Sequence, residues 1–398
     1  MTAPNTTRPV RAVEHFHHLG DADRAHLFFA NPQPLSLGAE RDTVATALGA
    51  TLYIPADRDD LAATVARRAG EGICSMVLDL EDAVDEANVE TAALNAVNAL
   101  DELAADGLAA TAMVFVRVRS EACIERIVGK LSVGAQALAG FVVPKFSAAT
   151  GERYLRQIAQ AAETLGKHLY CMPVLESPQI LYRESRDGEL TAIADILSRY
   201  RDMVLAVRVG ATDMCGMYGI RRDRDHTIYD VKTVADTIAD IVNRLARNDG
   251  TGFVVTAPVW EYFADHERLF RPLLRTTPFA EHDAVRFRSG LVSRDLDGLL
   301  REISLDRANG LLGKTVIHPT HVPAVHALSV VTHEEYRDAT DVMAATEGGV
   351  RRSEYRNKMN EPRPHRIWAE QVLRRARVFG VANEGVTFVD FLTVLAAR

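Results

Sequence analysis

The chain has 398 residues, 47% of them hydrophobic and 25% charged, with a formal net charge of -8. These are values of a globular protein with a sizeable core, and they exclude wholesale disorder. Lys and Arg are scattered through a mildly acidic chain, which leaves no electrostatic footprint for nucleic acid, and no run approaches the ~20 apolar residues that would span a bilayer.

The opening stretch, MTAPNTTRPVRAVEHFHHLG, has no apolar segment suited to a signal peptide, so a cytoplasmic protein is expected. Cys74, Cys123, Cys171 and Cys215 form no CxxC pair and read as structural thiols of a reducing compartment. The histidines of HFHH at 15–18 precede the first strand-like run and lack the spacing of zinc ligands. Residues 1–50 read as a partly irregular leader.

From residue 51 a short apolar run followed by a helical pattern recurs. The runs are TLYIP (51–55), CSMVLDL (74–80), AMVFVRV (112–118), GFVVPK (140–145), HLYCMPVLE (168–176), MVLAVRVGATD (203–213), GFVVTAPV (252–259) and KTVIHP (314–319). All are apolar on both faces, as parallel strands covered on both sides must be. Helices are expected over Asp59 to Ala69, Glu90 to Leu103, Gly151 to Leu165 and Val231 to Ala246. Eight such units predict an α/β fold of the (β/α)8 TIM-barrel type over residues 51–329. An open doubly wound sheet is the alternative, but TLYIPADRDD carries no glycine-rich phosphate loop. Residues 330–398 read as a C-terminal helical extension: a helix in THEEYRDATDVMAATEGG, a basic Pro-containing stretch, a second helix at Ile367 to Val378 and an apolar tail.

In such a barrel the chemistry sits at the C-terminal ends of the strands. The second run ends in Glu81 and Asp82, the third carries Arg117 and Arg119, and the fourth ends in Lys145. The fifth ends in Glu176, the sixth in Asp213 and the eighth in His318. Glu176 and Asp213 lie on neighbouring strands, where like charges repel unless a cation separates them. They read as a divalent-metal pair or as ordinary carboxylates bonded to backbone or arginine. Alternation turns Arg117 inward, to face a substrate carboxylate or to pair with Glu81 or Asp82. Lys145 is either an imine-forming amine or a positioning cation. The charged stretch RRDRDHTIYD (221–230) after the sixth run reads as a solvated loop or as a lid.

The segments LYIPADR, VLDLEDAV, VFVRV, FVVPK, PVLES, VGATD and GKTVIHP occur in an order that resembles the HpcH/HpaI aldolase and citrate lyase beta-subunit superfamily. GATDMCGMYGIRRDRDHTIYD and NKMNEPRPHRIWAEQVLRRARVFGV resemble its branch of TIM-barrel carbon–carbon bond lyases associated with tellurium-resistance-type gene clusters. The resemblance implies a Mg2+-dependent lyase or aldolase acting on an oxoacid or acyl substrate. Glu176 and Asp213 would be the metal ligands, Arg117 the clamp for the substrate carboxylate, and Glu81 and Asp82, with Lys145, the catalytic polar groups. Arg58 and His318 would complete substrate binding. It also implies a homo-oligomer in which the C-terminal part reaches a neighbour. Ala56 stands where relatives carry Gly, and DEANVETAALN lacks the usual Lys and Ala-Arg. Those features accompany coenzyme A, so the metal and oxoacid end of the site is expected rather than a thioester end. The competing expectations are a phosphoenolpyruvate-type barrel and a silent barrel serving as a binding or scaffold subunit.

Overall fold

The computed structural model describes residues 12–107, 111–263, 294–345 and 349–396. Eight parallel strands form one sheet: β1 (Ala50–Pro55), β2 (Ser75–Asp79), β3 (Met113–Arg117), β4 (Leu138–Val143), β5 (Tyr170–Leu175), β6 (Ala206–Val209), β7 (Val254–Thr256) and β8 (Lys314–Val316). Neighbours in sequence are neighbours in space, and β8 pairs with β1. A parallel bridge from Ala257 to Lys314 closes β7 on β8, and the Thr315 N–H donates to the Ala257 carbonyl at 3.0 Å. The sequence expectation of a (β/α)8 barrel holds.

Helices α1 (Leu61–Gly70), α2 (Val89–Ala105), α3 (Glu121–Val128), α4 (Gly151–Leu165), α5 (Arg183–Arg199), α6 (Lys232–Leu245), α7 (Arg294–Ala308) and α8 (Val322–Ser329) follow the strands in turn. Each buries one stripe. In α2 the stripe is Val89, Ala92, Ala93, Ala96, Leu100 and Leu103, the three-and-four spacing that keeps one helical face on the sheet. Helix α4 stops at Gly166, which adopts φ +61°, a left-handed cap that costs a glycine little.

The segments flanking the barrel fold onto its other end. His15 Nε2 meets the Ala47 carbonyl at 2.9 Å, and Tyr170 Oη donates to the Leu37 carbonyl at 3.1 Å. Those partners precede β1 and begin β5, so the early residues close the floor of the barrel, away from the strand C-termini. An aromatic cluster of His15, Phe16, Phe28, His326, Phe379 and Phe391 fills this floor. Burial lowers the pKa of His15 to about 4. A short strand, Phe28–Ala30, pairs antiparallel with Val381–Ala382, which ties the start of the chain to its C-terminal segment.

The C-terminal helices α9 (His333–Ala344) and α10 (Pro362–Phe379) pack a small core of their own, including Val331, Val342, Ala369 and Val372. Helix α10 begins at Pro362, five residues before the sequence pattern suggested. Proline is suited to a first helical turn, where its missing N–H is not needed. Among the described residues no helix is long and apolar enough to cross a membrane.

Candidate active site

Parallel register brings the last residue of β2, Asp79, directly opposite the last residue of β3, Arg117. Arg117 Nε and Nη2 donate to the two oxygens of Asp79, each at 2.6 Å, and Nη1 lies 2.9 Å from Glu81 and 3.0 Å from Asp82. Burial opposes its charge, but the Asp79 carboxylate holds the guanidinium pKa above its ordinary value. Three of the five N–H groups of the guanidinium thereby donate hydrogen bonds, and Glu81 adds an ion pair.

Past β4, Lys145 adopts φ +49°, a left-handed backbone that costs a lysine roughly 1–3 kcal/mol. The turn directs two donors into the cluster: the backbone N–H to Glu176 Oε1 at 2.8 Å and Nζ to Glu81 Oε1 at 2.6 Å. Glu81 raises the lysine pKa, so the side chain is a cation. Burial, then its contact with Asp82, raises the pKa of Glu81. For Asp82 burial acts upward, but Glu81, Arg117 and Lys145 together bring it below the usual carboxylate value. The two carboxyls thus divide their roles, Glu81 inclined to hold a proton and Asp82 inclined to be ionised.

Glu176 follows β5 and is buried. Strand β6 ends at Val209, and Asp213 stands in the first turn of a short helix, Ala211–Met217. The sequence reading had Asp213 on the strand itself; Gly210 starts the helix earlier. Gly210 also makes room for the acid, because a Cβ there would fall 1.8 Å from Glu176 Oε2. Burial, then the neighbouring Asp213 carboxyl, pushes the pKa of Glu176 up to about 8. An acid so placed is short of a cation.

These groups surround a cavity of about 410 Å³ whose lining includes Tyr53, Asp79, Asp82, Arg117, Glu176, Arg208, Asp213 and Glu261. A second depression of about 590 Å³, bordered by Lys145, Ser147, Gln179 and Met217, lies on the other side of Glu176 and Asp213. Six carboxylates (Asp79, Glu81, Asp82, Glu176, Asp213, Glu261) therefore meet three cations (Arg117, Lys145, Arg208) at the mouth. Among the described residues no three His, Cys, Asp or Glu side chains converge on one metal position. The donor set fits a hard divalent ion held by two carboxylates and completed by water and substrate oxygens, the arrangement Mg2+ favours.

Glu81, Asp82, Arg117, Lys145, Glu176 and Asp213 are thus brought together. Two other expected residues are not. Arg58 is half-exposed and pairs with Asp60, and His318 stacks on Phe263 with its Nδ1 on Thr320 Oγ1; neither lines the cavity. Asp79, Tyr53, Arg208 and Glu261 were not singled out in the sequence. Arg208 carried the signal that marked Arg117, an arginine inside an alternating apolar strand.

Residues 42–381 match the model of a family described as carbon–carbon bond lyases of the TIM-barrel fold. The chain belongs to that family. Its chemistry is accordingly that of a carbon–carbon lyase. Among solved structures it is similar to CitE from Mycobacterium tuberculosis, a complex with magnesium, acetoacetate and coenzyme A. The identity is 22% over 83% of this chain and 99% of that one, with a TM-score of 0.51. A citrate lyase from Burkholderia xenovorans is 17% identical over 87% of this chain and 96% of its own, with a TM-score of 0.59. A malate synthase from Haloferax volcanii, a lead(II) complex, is 14% identical over 70% and 72% of the two chains, with a TM-score of 0.50. At these identities the likeness is one of fold. No curated protein matches the sequence.

Proposed function

We propose that this lyase acts on a small oxoacid at a Mg2+ ion held by Glu176 and Asp213. The observation that carries the reading is the excess of carboxylate at the mouth, with Glu176 and Asp213 in contact and, among the described residues, no cation between them. Family membership and the magnesium in the CitE complex support it. When bound, the ion supplies Lewis-acid withdrawal of charge from the substrate's oxo group.

The chain's own residues do the rest. Arg117 fixes Asp79, Glu81 and Asp82 as one rigid acidic wall and offers an N–H not used in that wall to the substrate carboxylate. Asp82, half-exposed to the cavity and ionised, exchanges the proton at the reacting carbon. Glu81 takes up or returns that proton, and Lys145 steadies the pair as a cation rather than as an imine nucleophile. Four separate buried thiols suit a reducing compartment, and the cytoplasm is the location this reading assigns. The same reading includes a homo-oligomer, with α10 as the docking element.

Titration calorimetry with Mg2+ tests the site. Wild type should bind the ion, and Glu176→Ala and Asp213→Ala should each weaken binding strongly. Unchanged affinity in both variants would remove the claim. A chelator should abolish turnover, and borohydride with substrate should trap nothing on Lys145.

A further inference from the structure

Arg208 is 1% exposed and points into the barrel from β6, yet it lines the active cavity. Its polar partners are neutral. Nη2 donates to Thr315 Oγ1 at 2.6 Å, Nη1 lies 3.4 Å from Thr51 Oγ1 and 3.8 Å from the Met172 sulfur, and Nε has no partner. The Tyr53 ring lies 5.5 Å from the guanidinium carbon, with Arg117 on the same ring at 5.2 Å. Among the described residues no carboxylate pairs with Arg208, whereas Arg117 above it holds three.

A buried guanidinium without a counterion is costly, and the cost is several kcal/mol for an isolated charge. The hydroxyls of Thr51, Thr315 and Tyr53 hold the fork in place without neutralising it. The planar fork matches a carboxylate, and its Nη1 side is held only by long contacts. Asp79, Asp82, Glu176 and Asp213 line the same cavity but are committed to Arg117 or to each other, and Glu261, which also lines it, accepts from Thr212 Oγ1 at 2.7 Å and does not pair with Arg208. The anion that answers Arg208 is therefore one that enters.

We propose that Arg208, on the floor of the cavity, binds a second, distal carboxylate of the substrate, so that this lyase takes a 2-oxo dicarboxylate. The inference rests on the metal and oxoacid reading, which provides for the first carboxylate at the ion and Arg117. Arg208 then acts as a specificity residue that admits the dicarboxylate and leaves a monocarboxylate analogue with an unanswered buried charge.

Calorimetry in the presence of Mg2+ tests this with pairs of equal carbon count: 2-oxoglutarate against 2-oxopentanoate, and oxaloacetate against 2-oxobutanoate. Wild type should prefer the dicarboxylate of at least one pair by about ten- to a hundredfold, the usual worth of hydrogen bonds to a charged group. Arg208→Met, an apolar side chain of similar reach, should erase the preference while monocarboxylate binding stays Mg2+-dependent. Arg208→Lys should restore part of it. If wild type binds both members of each pair equally, the proposal fails while the metal reading stands, and this holds whether or not the Met variant folds. If a folded Arg208→Met keeps the preference, or loses both ligands alike, Arg208 is structural only. If wild type binds no oxoacid with Mg2+, both readings fall.

Discussion

Behind β8, Lys314 Nζ donates to Glu302 at 2.9 Å and Asp306 at 2.8 Å, while Arg222 reaches the same Glu302 and Tyr229 donates to Asp306. Two cations answer two carboxylates there, all buried, with the Ile228 N–H and the Trp260 ring completing the shell. At the mouth, around the ends of the other strands, six carboxylates face three cations and one of those cations is unanswered. The inner cluster is neutral and closed, and through Arg222, Ile228 and Tyr229 it ties the segment 221–230 to α7. The mouth is negative and open, so its balance comes from what it binds. Charge within a barrel serves structure where it is settled and chemistry where it is left unsettled.

That contrast can be broken from either side. The largest effect is expected on the inner side: Lys314→Met leaves Asp306 buried without a cation and Glu302 with Arg222 alone, and should cost about 3–5 kcal/mol, read as a lower urea midpoint. Glu176→Ala should do the reverse at the mouth. Losing a directly placed ligand should lower Mg2+ affinity by at least about 100-fold, beyond the 10–100-fold typical of supporting residues, while the thermal midpoint holds or rises. If Glu176→Ala unfolds the protein instead, the distinction between the clusters is lost.

Acid tests a third kind of buried group, neutral by design. His15 has an ordinary pKa of 6.5 in the open chain and about 4 in the fold, through burial, and His326 is lowered well below 6.5 for the same reason. The unfolded chain thus binds protons first. Stability is complete above 6.5 and is lost as pH falls from there toward 4, by about 2 kcal/mol from His15 alone at pH 5. Urea melts at pH 7 and pH 5 measure it, and an unchanged midpoint would contradict it. The smallest effect belongs to the surface: Arg126→Ala breaks a pair with the exposed Glu90 and should shift stability by under about 0.5 kcal/mol.

Much of the barrel was legible because its strands are apolar on both faces and its helices are not. Glu176 and Lys145 stood out as charges ending apolar runs, and Asp213 was found although a helix, not the strand, carries it. Asp79 was hidden inside VLDL, where an acid reads as one more strand position until the facing strand supplies Arg117. Glu302 and Asp306 sit four apart in a helix, and only the closure of β8 brings Lys314 beneath them. Pairings across the barrel are set by register, which no single stretch of sequence contains. Arg58 and His318 looked equal to the others as loop charges, and the turns after β1 and β8 direct them elsewhere.

The pairing of Phe28–Ala30 with Val381–Ala382 sets an order of events in synthesis. The first of these strands leaves the ribosome about 350 residues before its partner, roughly twenty to seventy seconds at ~5–20 residues per second. Until then Phe16 and Phe28 lack Phe391 and His15 lacks Phe379, and the barrel has a mouth before it has a floor. The nascent chain carries an open aromatic face while the whole barrel is being translated, and the helices that bring Phe379 and Phe391 are the ones that seal it.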